Sequence, residues 1–246
     1  VQLTVLGCYG PFPSAGGACS GYLLRENNCN LLIDCGNGVF SRLRQHLDYR
    51  LLDAVIISHL HPDHVSDIMV MRYALAFAEE GTLRRKPLKL YAPPEPEQEF
   101  ERLSYKDVYA VNTLQVGESL QVGPFWIDGV YGVHPFPSLA LRFRSPSGTL
   151  VYSGDTEYCA ELEEFAKEAD LFLCEANYRK IDIEKGLPNH MSASQAAQIA
   201  SAAGVRRLLL THHYPENEPG DSLAEAKEHF TEAELALEGE SYMISM

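Results

Sequence analysis

The hexapeptide His59-Leu60-His61-Pro62-Asp63-His64 places four side chains able to bind a metal ion within six positions. Neutral imidazole and carboxylate are the donors that suit zinc and neighbouring divalent ions. A one-residue stagger lets His59 and His61 face one ion while Asp63 and His64 turn toward another, so the spacing implies two adjacent ions. A lone histidine in a turn is ordinarily a surface residue, but three of the chain's nine histidines fall in this one segment. No helical H-E-x-x-H zinc motif competes for them. Two dications about 3.5 to 4 Å apart lower the pKa of a bridging water, and the resulting hydroxide is a hydrolytic nucleophile.

The apolar run Ala54-Val55-Ile56-Ile57 just before the motif reads as a short buried strand, and Pro62 argues against continuing it through the ligands. The motif is therefore expected on a loop leaving a strand. Three further candidates share that setting: His134 ends the run Phe125 to Val133, Asp155 follows Val151-Tyr152-Ser153-Gly154, and His212 follows Leu208-Leu209-Leu210-Thr211. Ligands at the carboxyl ends of several strands can converge on one edge of a sheet. Each alone has a structural explanation: turn chemistry before Pro135, a helix N-cap region, or a surface histidine beside His213. Together they give His59, His61 and His134 for one ion, Asp63, His64 and His212 for the other, and Asp155 as the bridge. His213 is the rival of His212, which is preferred for its spacing from the strand.

Strands are expected at 2–6, 21–25, 30–34, 54–57, 88–92, 125–133, 139–144, 149–153, 170–174, 207–211 and 241–245, and helices at 37–47, 65–80, 95–104, 159–168, 192–203 and 221–231. Ser192 followed by Gln195 is a capping-box start, and Gly204 a helix stop. The pattern suggests a mixed pair of sheets covered by helices.

With 246 residues, 46% of them hydrophobic, the chain can bury a large core as one domain, 1–246, built from two halves at about 1–120 and 121–246. No apolar stretch approaches the roughly 20 residues that span a bilayer, so a soluble, cytoplasmic protein is expected. The six cysteines lack C-x-x-C spacing and are expected as free thiols, mostly small apolar fillers. A net charge of −14 opposes extended nucleic acid, while two dications would still draw a small anionic substrate. A homodimer is a candidate assembly. The Gly10 to Gly21 loop reads as a plain connection or as an anion-facing row of N–H groups, and Arg84-Arg85-Lys86 as a helix end.

The ordered set His59 to His64, His134, Asp155 and His212 resembles the metallo-β-lactamase fold superfamily, whose H-x-H-x-D-H signature it matches without departure. The resemblance covers nearly the whole chain, including Leu31-Leu32-Ile33-Asp34-Cys35-Gly36. It implies an α/β protein, a four-layer αβ/βα sandwich with a dinuclear site at one edge. Asp34 would support the metal loop from behind. Two divalent ions are implied, zinc first, with iron or manganese also suited to these donors.

Common metallo-β-lactamases carry Cys where this chain has Asp155, which points away from lactams. Leu173-Cys174-Glu175-Ala176-Asn177 and Asn189-His190-Met191-Ser192-Ala193 look like ribonuclease Z and its phosphodiesterase relatives. In those enzymes a histidine at the position of His190 contacts the scissile phosphate and a glutamate at the position of Glu175 orients it. A histidine titrating near neutrality can protonate a departing alkoxide. Asp63 can orient the hydroxide and accept its proton. Ribonuclease Z also carries a long arm between the ligands matching His134 and Asp155; here twenty residues separate them, which leaves no room for one and favours a small or cyclic phosphodiester. Two alternatives stay open: a thioester hydrolase similar to glyoxalase II, and a non-catalytic metal-binding regulatory protein.

Overall fold

Leu31, Leu32 and Ile33 are all buried, as are Ala54, Val55 and Ile56. A strand without a solvent face must lie between two covering layers. In the computed structural model, which describes residues 1–77 and 87–245, that is where both runs lie. Leu31, Ile33, Ala54 and Ile56 point into the space between two sheets, while Leu32 and Val55 point to a helical layer outside.

The first sheet contains β1 (Gln2–Gly7), β2 (Gly21–Glu26), β3 (Cys29–Ile33), β4 (Ala54–Ile56), β5 (Leu88–Ala92) and β6 (Tyr109–Thr113). The second contains β7 (Leu120–Val122), β8 (Phe125–Tyr131), β9 (Leu139–Ser145), β10 (Gly148–Tyr152), β11 (Leu171–Glu175), β12 (Leu208–Thr211) and β13 (Glu234–Leu235). The last strand, β14 (Ser241–Met243), returns to pair antiparallel with β1, so the expected division near residue 120 is crossed by the chain's end. Each sheet has seven strands, antiparallel at one side and parallel at the other. The parallel strands β3, β4, β10, β11 and β12 lead into most residues of the site, and the antiparallel β8 leads into His134.

The helices are α1 (Val39–His46), α2 (Pro62–Val65), α3 (Ile68–Ala76), α4 (Glu97–Arg102), α5 (Ala160–Phe165), α6 (Lys180–Glu184), α7 (Ala193–Ala203) and α8 (Pro219–Lys227). Helices α1 and α3 cover the first sheet through Val39, Phe40, Leu43, Ile68 and Met71. The second sheet is covered by α5, α7 and α8, with Ala196, Ala197, Ala200 and Ala203 letting α7 pack close. This is the four-layer sandwich expected. The capping box of α7 forms as read, with Ser192 Oγ accepting from the Gln195 N–H at 3.2 Å and Gly204 in the left-handed conformation.

Three expectations need correction. The helix over 65–80 begins earlier and is broken, because Pro62 at the first helical position opens the short α2 before α3 starts. Helix α3 ends at Ala76, and the expected end at 80, with Arg84-Arg85-Lys86, lies outside the described residues. The helix over 221–231 starts at Pro219 by the same rule. Strands β6, β7 and β13 and helix α6 were not expected: the strands are short and lie at sheet edges, and α6 buries no residue, so none carries a strong apolar period.

Two buried hydrogen bonds join the sheets across this core: Tyr22 Oη with Thr211 Oγ1 at 2.6 Å, and Tyr152 Oη donating to Asp34 Oδ2 at 2.9 Å. Between them the two tyrosine rings meet edge to face at 5.2 Å. Leu173 is fully buried among the same inter-sheet residues. Leu173→Ala is expected to cost about 2–5 kcal/mol of stability by urea denaturation, since the cavity would lie where neither sheet can collapse alone. A loss below about 1 kcal/mol would contradict this account of the core.

Candidate metal centre

Strand β4 ends at Ile56, and the chain then turns through Ser58 and His59 into α2. His61 is the N-cap residue, still extended, while Asp63 and His64 lie in the first helical turn. The motif is thus half loop and half helix, which corrects the reading of it as a loop alone. Asp63 and His64 gather with His212, while His59 and His61 gather with His134, although the His59 and His64 ring centroids stand only 4.1 Å apart.

Asp34, at the end of β3, aims the segment. Its buried carboxylate accepts from Ser58 N–H at 2.7 Å, Ser58 Oγ at 2.8 Å and Tyr152 Oη at 2.9 Å, and lies 2.7 Å from His64 Nδ1. A proton on His64 Nδ1 leaves Nε2 as the bare donor facing the cluster. Asp34 is held in the left-handed region at φ 53°, which Asp tolerates better than most residues.

The second sheet delivers the rest. His134 lies beyond β8, and its Nδ1 is 2.9 Å from the Asn189 carbonyl, an acceptor only, which turns Nε2 inward. Asp155 follows Gly154, whose positive φ and 2.6 Å clearance between an added Cβ and the Leu139 carbonyl favour glycine. His212 follows β12 with φ 54°, and Asn177 Nδ2 donates to its carbonyl at 3.0 Å and to that of Gly10 at 2.8 Å.

These seven side chains form two groupings that share Asp155: His59, His61 and His134 in one, Asp63, His64 and His212 in the other. In the first, His61 Nδ1 is 3.1 Å from His59 Nε2 and 3.0 Å from His134 Nε2. In the second, His212 Nε2 is 3.1 Å from Asp63 Oδ2 and 3.2 Å from Asp155 Oδ2. His64 Nε2 stands 3.4 Å from Asp155 Oδ2. The structure brings together the side chains that the sequence grouped, with Asp155 in both sets. His213 joins neither; it is buried with its ring edge-on to Tyr9.

The cluster suits a cation. Burial, reinforced by neighbouring rings, holds His59 well below the usual imidazole range, pushes His61 to about 4 and lowers His134, so all three are in the neutral, ligating form. Burial opposes charge on Asp155, yet His212, His64 and His59 keep it ionised well below the ordinary carboxylate range. Its Oδ1 is buried without a hydrogen-bond partner. Burial likewise disfavours charge on His64, but Asp155, Asp63 and Asp34 raise its pKa well above normal. Converging lone pairs, an orphaned carboxylate oxygen and a surplus of negative charge suit a bound metal ion.

A third grouping, Glu175, His190 and His212, adjoins the second. His190 Nδ1 is 3.0 Å from Glu175 Oε1, and its ring stacks on His212 with centroids 5.3 Å apart. Glu175 is fully buried at the end of β11 and accepts from the Thr156 N–H at 2.7 Å. Burial would lower His190, but the Glu175 carboxylate, with Asp155 and Asp63 behind it, lifts it to about 9.

Sequence reasoning missed Tyr152, Asn177 and the role of Gly10. A Cβ at Gly10 would stand 1.9 Å from His212 Nε2, so only glycine allows that approach. The anion-facing reading of the Gly10 to Gly21 loop is corrected at four positions, because Gly10, Gly17, Ala18 and Cys19 donate their N–H groups within the protein. All six cysteines are free and buried, as expected; burial first, then Asp63, raises Cys19 to about 12.

Residues 29–213 match the Beta-lactamase superfamily domain. The chain belongs to that superfamily. It is 36% identical over 212 residues to the probable metallo-hydrolase YhfI of Bacillus subtilis, covering 86% of each protein. The crystal structure of the metallo-β-lactamase fold protein YhfI superposes with a TM-score of 0.94 over 98% of both chains, at 34% identity. Ribonuclease Z of Mycobacterium bovis is 30% identical over 254 residues, covering 89% of this chain and 88% of the relative. Human tRNase Z, short form, shares the fold with a TM-score of 0.79 at 20% identity, over 100% of both chains.

Asp34→Asn keeps the volume but removes the charge that His64 and Tyr152 address. It is expected to weaken zinc binding about 10- to 100-fold in competition with a chromophoric chelator, with an unchanged far-UV circular dichroism spectrum. Undiminished affinity would show that Asp34 does not aim His64.

Proposed function

We propose that this superfamily member is a metal-dependent hydrolase of small phosphodiesters, with two divalent ions, zinc foremost. The observation that carries the reading is the Glu175–His190 pair beside the ligand cluster. His59, His61 and His134 would hold one ion and Asp63, His64 and His212 the other, with Asp155 shared. Bound there, the ions supply an activated water and neutralise charge on the phosphoryl oxygens.

The remaining steps belong to the chain's own side chains. Asp63, with Oδ2 3.1 Å from His212 Nε2, orients the attacking water and accepts its proton. His190 delivers a proton from Nε2 to the departing oxygen, while its Nδ1–H donates to Glu175, which fixes the ring and favours its charged form. This acid is needed by an alkoxide leaving group.

Several observations support a compact diester over the alternatives. The stretch between His134 and Asp155 is filled by β9, β10 and their turn, which leaves no arm for a folded RNA. The net charge of −14 opposes an extended polyanion. Among the described residues no lysine or arginine lines the cavity beside His190, so the carboxylates of a glutathione thioester would have only the His190 imidazole to share. The relative named ribonuclease Z supports phosphodiester chemistry. A cytoplasmic setting is consistent with six free thiols, and no helix among the described residues is long and apolar enough to cross a membrane.

Dialysis against a chelator is expected to abolish cleavage of bis-p-nitrophenyl phosphate, and zinc, manganese or iron to restore it. Activity that survives complete metal removal would refute the proposal. His190→Ala is expected to keep its metal content while losing about 10²- to 10⁴-fold in kcat on an alkyl diester and much less on the nitrophenyl diester, whose phenolate leaves unaided. Equal losses on both would remove His190 from the acid role.

A further inference from the structure

Beyond His190 the site opens into a cavity of about 370 Å³, within the roughly 300–1,000 Å³ of small-molecule pockets. Tyr178 and Tyr214 contribute aromatic walls, and Asn177, Asn217 and Asp182 contribute polar points. The Tyr178 hydroxyl is committed to the Pro188 carbonyl at 3.0 Å, and its ring stands edge-on to His190 with centroids 5.4 Å apart. What Tyr178 offers a ligand is therefore its ring.

The amides of the cavity are less committed. Asn177 uses Nδ2 on the carbonyls of Gly10 and His212, while its Oδ1 and the Asn217 side chain make no hydrogen bond among the described residues. Asp182 accepts from the Arg179 N–H with Oδ2 at 3.1 Å, and Lys185 lies 3.8 Å from Oδ1.

This chemistry selects the occupant. A second phosphate or a carboxylate would meet Asp182, whose charge Lys185 offsets only from 3.8 Å, and among the described residues no lysine or arginine lies in the lining itself. A plain alkyl group would bury amides and a carboxylate against hydrocarbon. A flat, uncharged ring with hydrogen-bonding edges satisfies both the aromatic and the polar walls.

We propose that the cavity beside His190 is a nucleobase subsite, so that the diester cleaved belongs to a single nucleoside. The base rests on the tyrosine walls, and its edge meets Asn177, Asn217 and Asp182. Asp182 can only accept, which favours edges that carry N–H donors. The inference rests on the hydrolase reading above, because the phosphate of the same molecule would lie over the ligand cluster.

The test uses the zinc-loaded protein and substrates that differ only in the base. Turnover of 2',3'-cyclic nucleotides is compared with that of the 2',3'-cyclic phosphate of methyl riboside, which keeps the sugar and the diester. In parallel, calorimetry compares the binding of nucleoside 5'-monophosphates with that of ribose 5-phosphate. The base is expected to lower KM at least about tenfold, the scale of one good contact. Tyr214→Ala and Asn217→Ala should each raise KM for the nucleotides by about that factor while leaving kcat and the methyl riboside KM in place. The mononucleotides should likewise bind more tightly than ribose 5-phosphate, by a margin that shrinks in both variants. Equal handling of based and baseless ligands in both assays would overturn the subsite. Base-dependent binding with no diester cleaved would uphold the subsite and overturn the phosphodiesterase reading instead.

Discussion

One buried carboxylate organises the ligand-bearing edge of this protein. Asp34 has no contact with solvent, and its partners come from three places: the start of the metal-binding segment at Ser58, the first turn of α2 at His64, and the second sheet at Tyr152. An ionised group in such a position is tolerated only when its lone pairs are filled. Filling them brings the loop, the helix and the two sheets into one arrangement. The orientation of His64 toward Asp155 and Asp63 follows from that constraint.

The architecture makes the constraint productive. In each sheet the parallel strands run to the same edge, and their carboxyl ends carry Asp34, the hexapeptide, Asp155, Glu175 and His212. Inward-facing residues such as Ile33, Ile56, Tyr152 and Leu173 form one core between the sheets, so neither half can shift without disturbing the other. The cluster itself works against folding stability: it gathers carboxylates and bare imidazoles in a buried volume and leaves Asp155 Oδ1 unpartnered. A metal ion bound only by the folded state would turn that cost into a linkage favouring the native form.

What could be read from the chain alone follows how locally each feature is encoded. The hexapeptide is contiguous, and the strands that precede His134, Asp155 and His212 are apolar enough to be found without an alignment. Their common position after strands was therefore sufficient to group them. Edge strands β6 and β7 are hard to read because an edge strand needs little apolar surface, and the break between α2 and α3 because a proline such as Pro62 both breaks a strand and starts a helix. Gly10 and Asn177 escaped for a different reason. Their importance lies in how closely they approach His212 from distant parts of the chain, and no periodicity records such an approach.

His190 marks the boundary between two environments that ask opposite things of a substrate. On one side, a cluster of histidines and ionised aspartates suits a bound cation, which would in turn draw an anion above it. On the other, a cavity lined by tyrosines, amides and Asp182 would disfavour a second anion. A molecule that satisfies both has a single negative centre joined to a neutral, flat, polar group, and its bond to be broken passes beside the imidazole. On the proposed reading, that division would let a chain with a net charge of −14 accept a phosphate ester without attracting polyanions. Glu175 anchors His190 from β11, so on the same reading the acid would be poised independently of the cluster it stacks against.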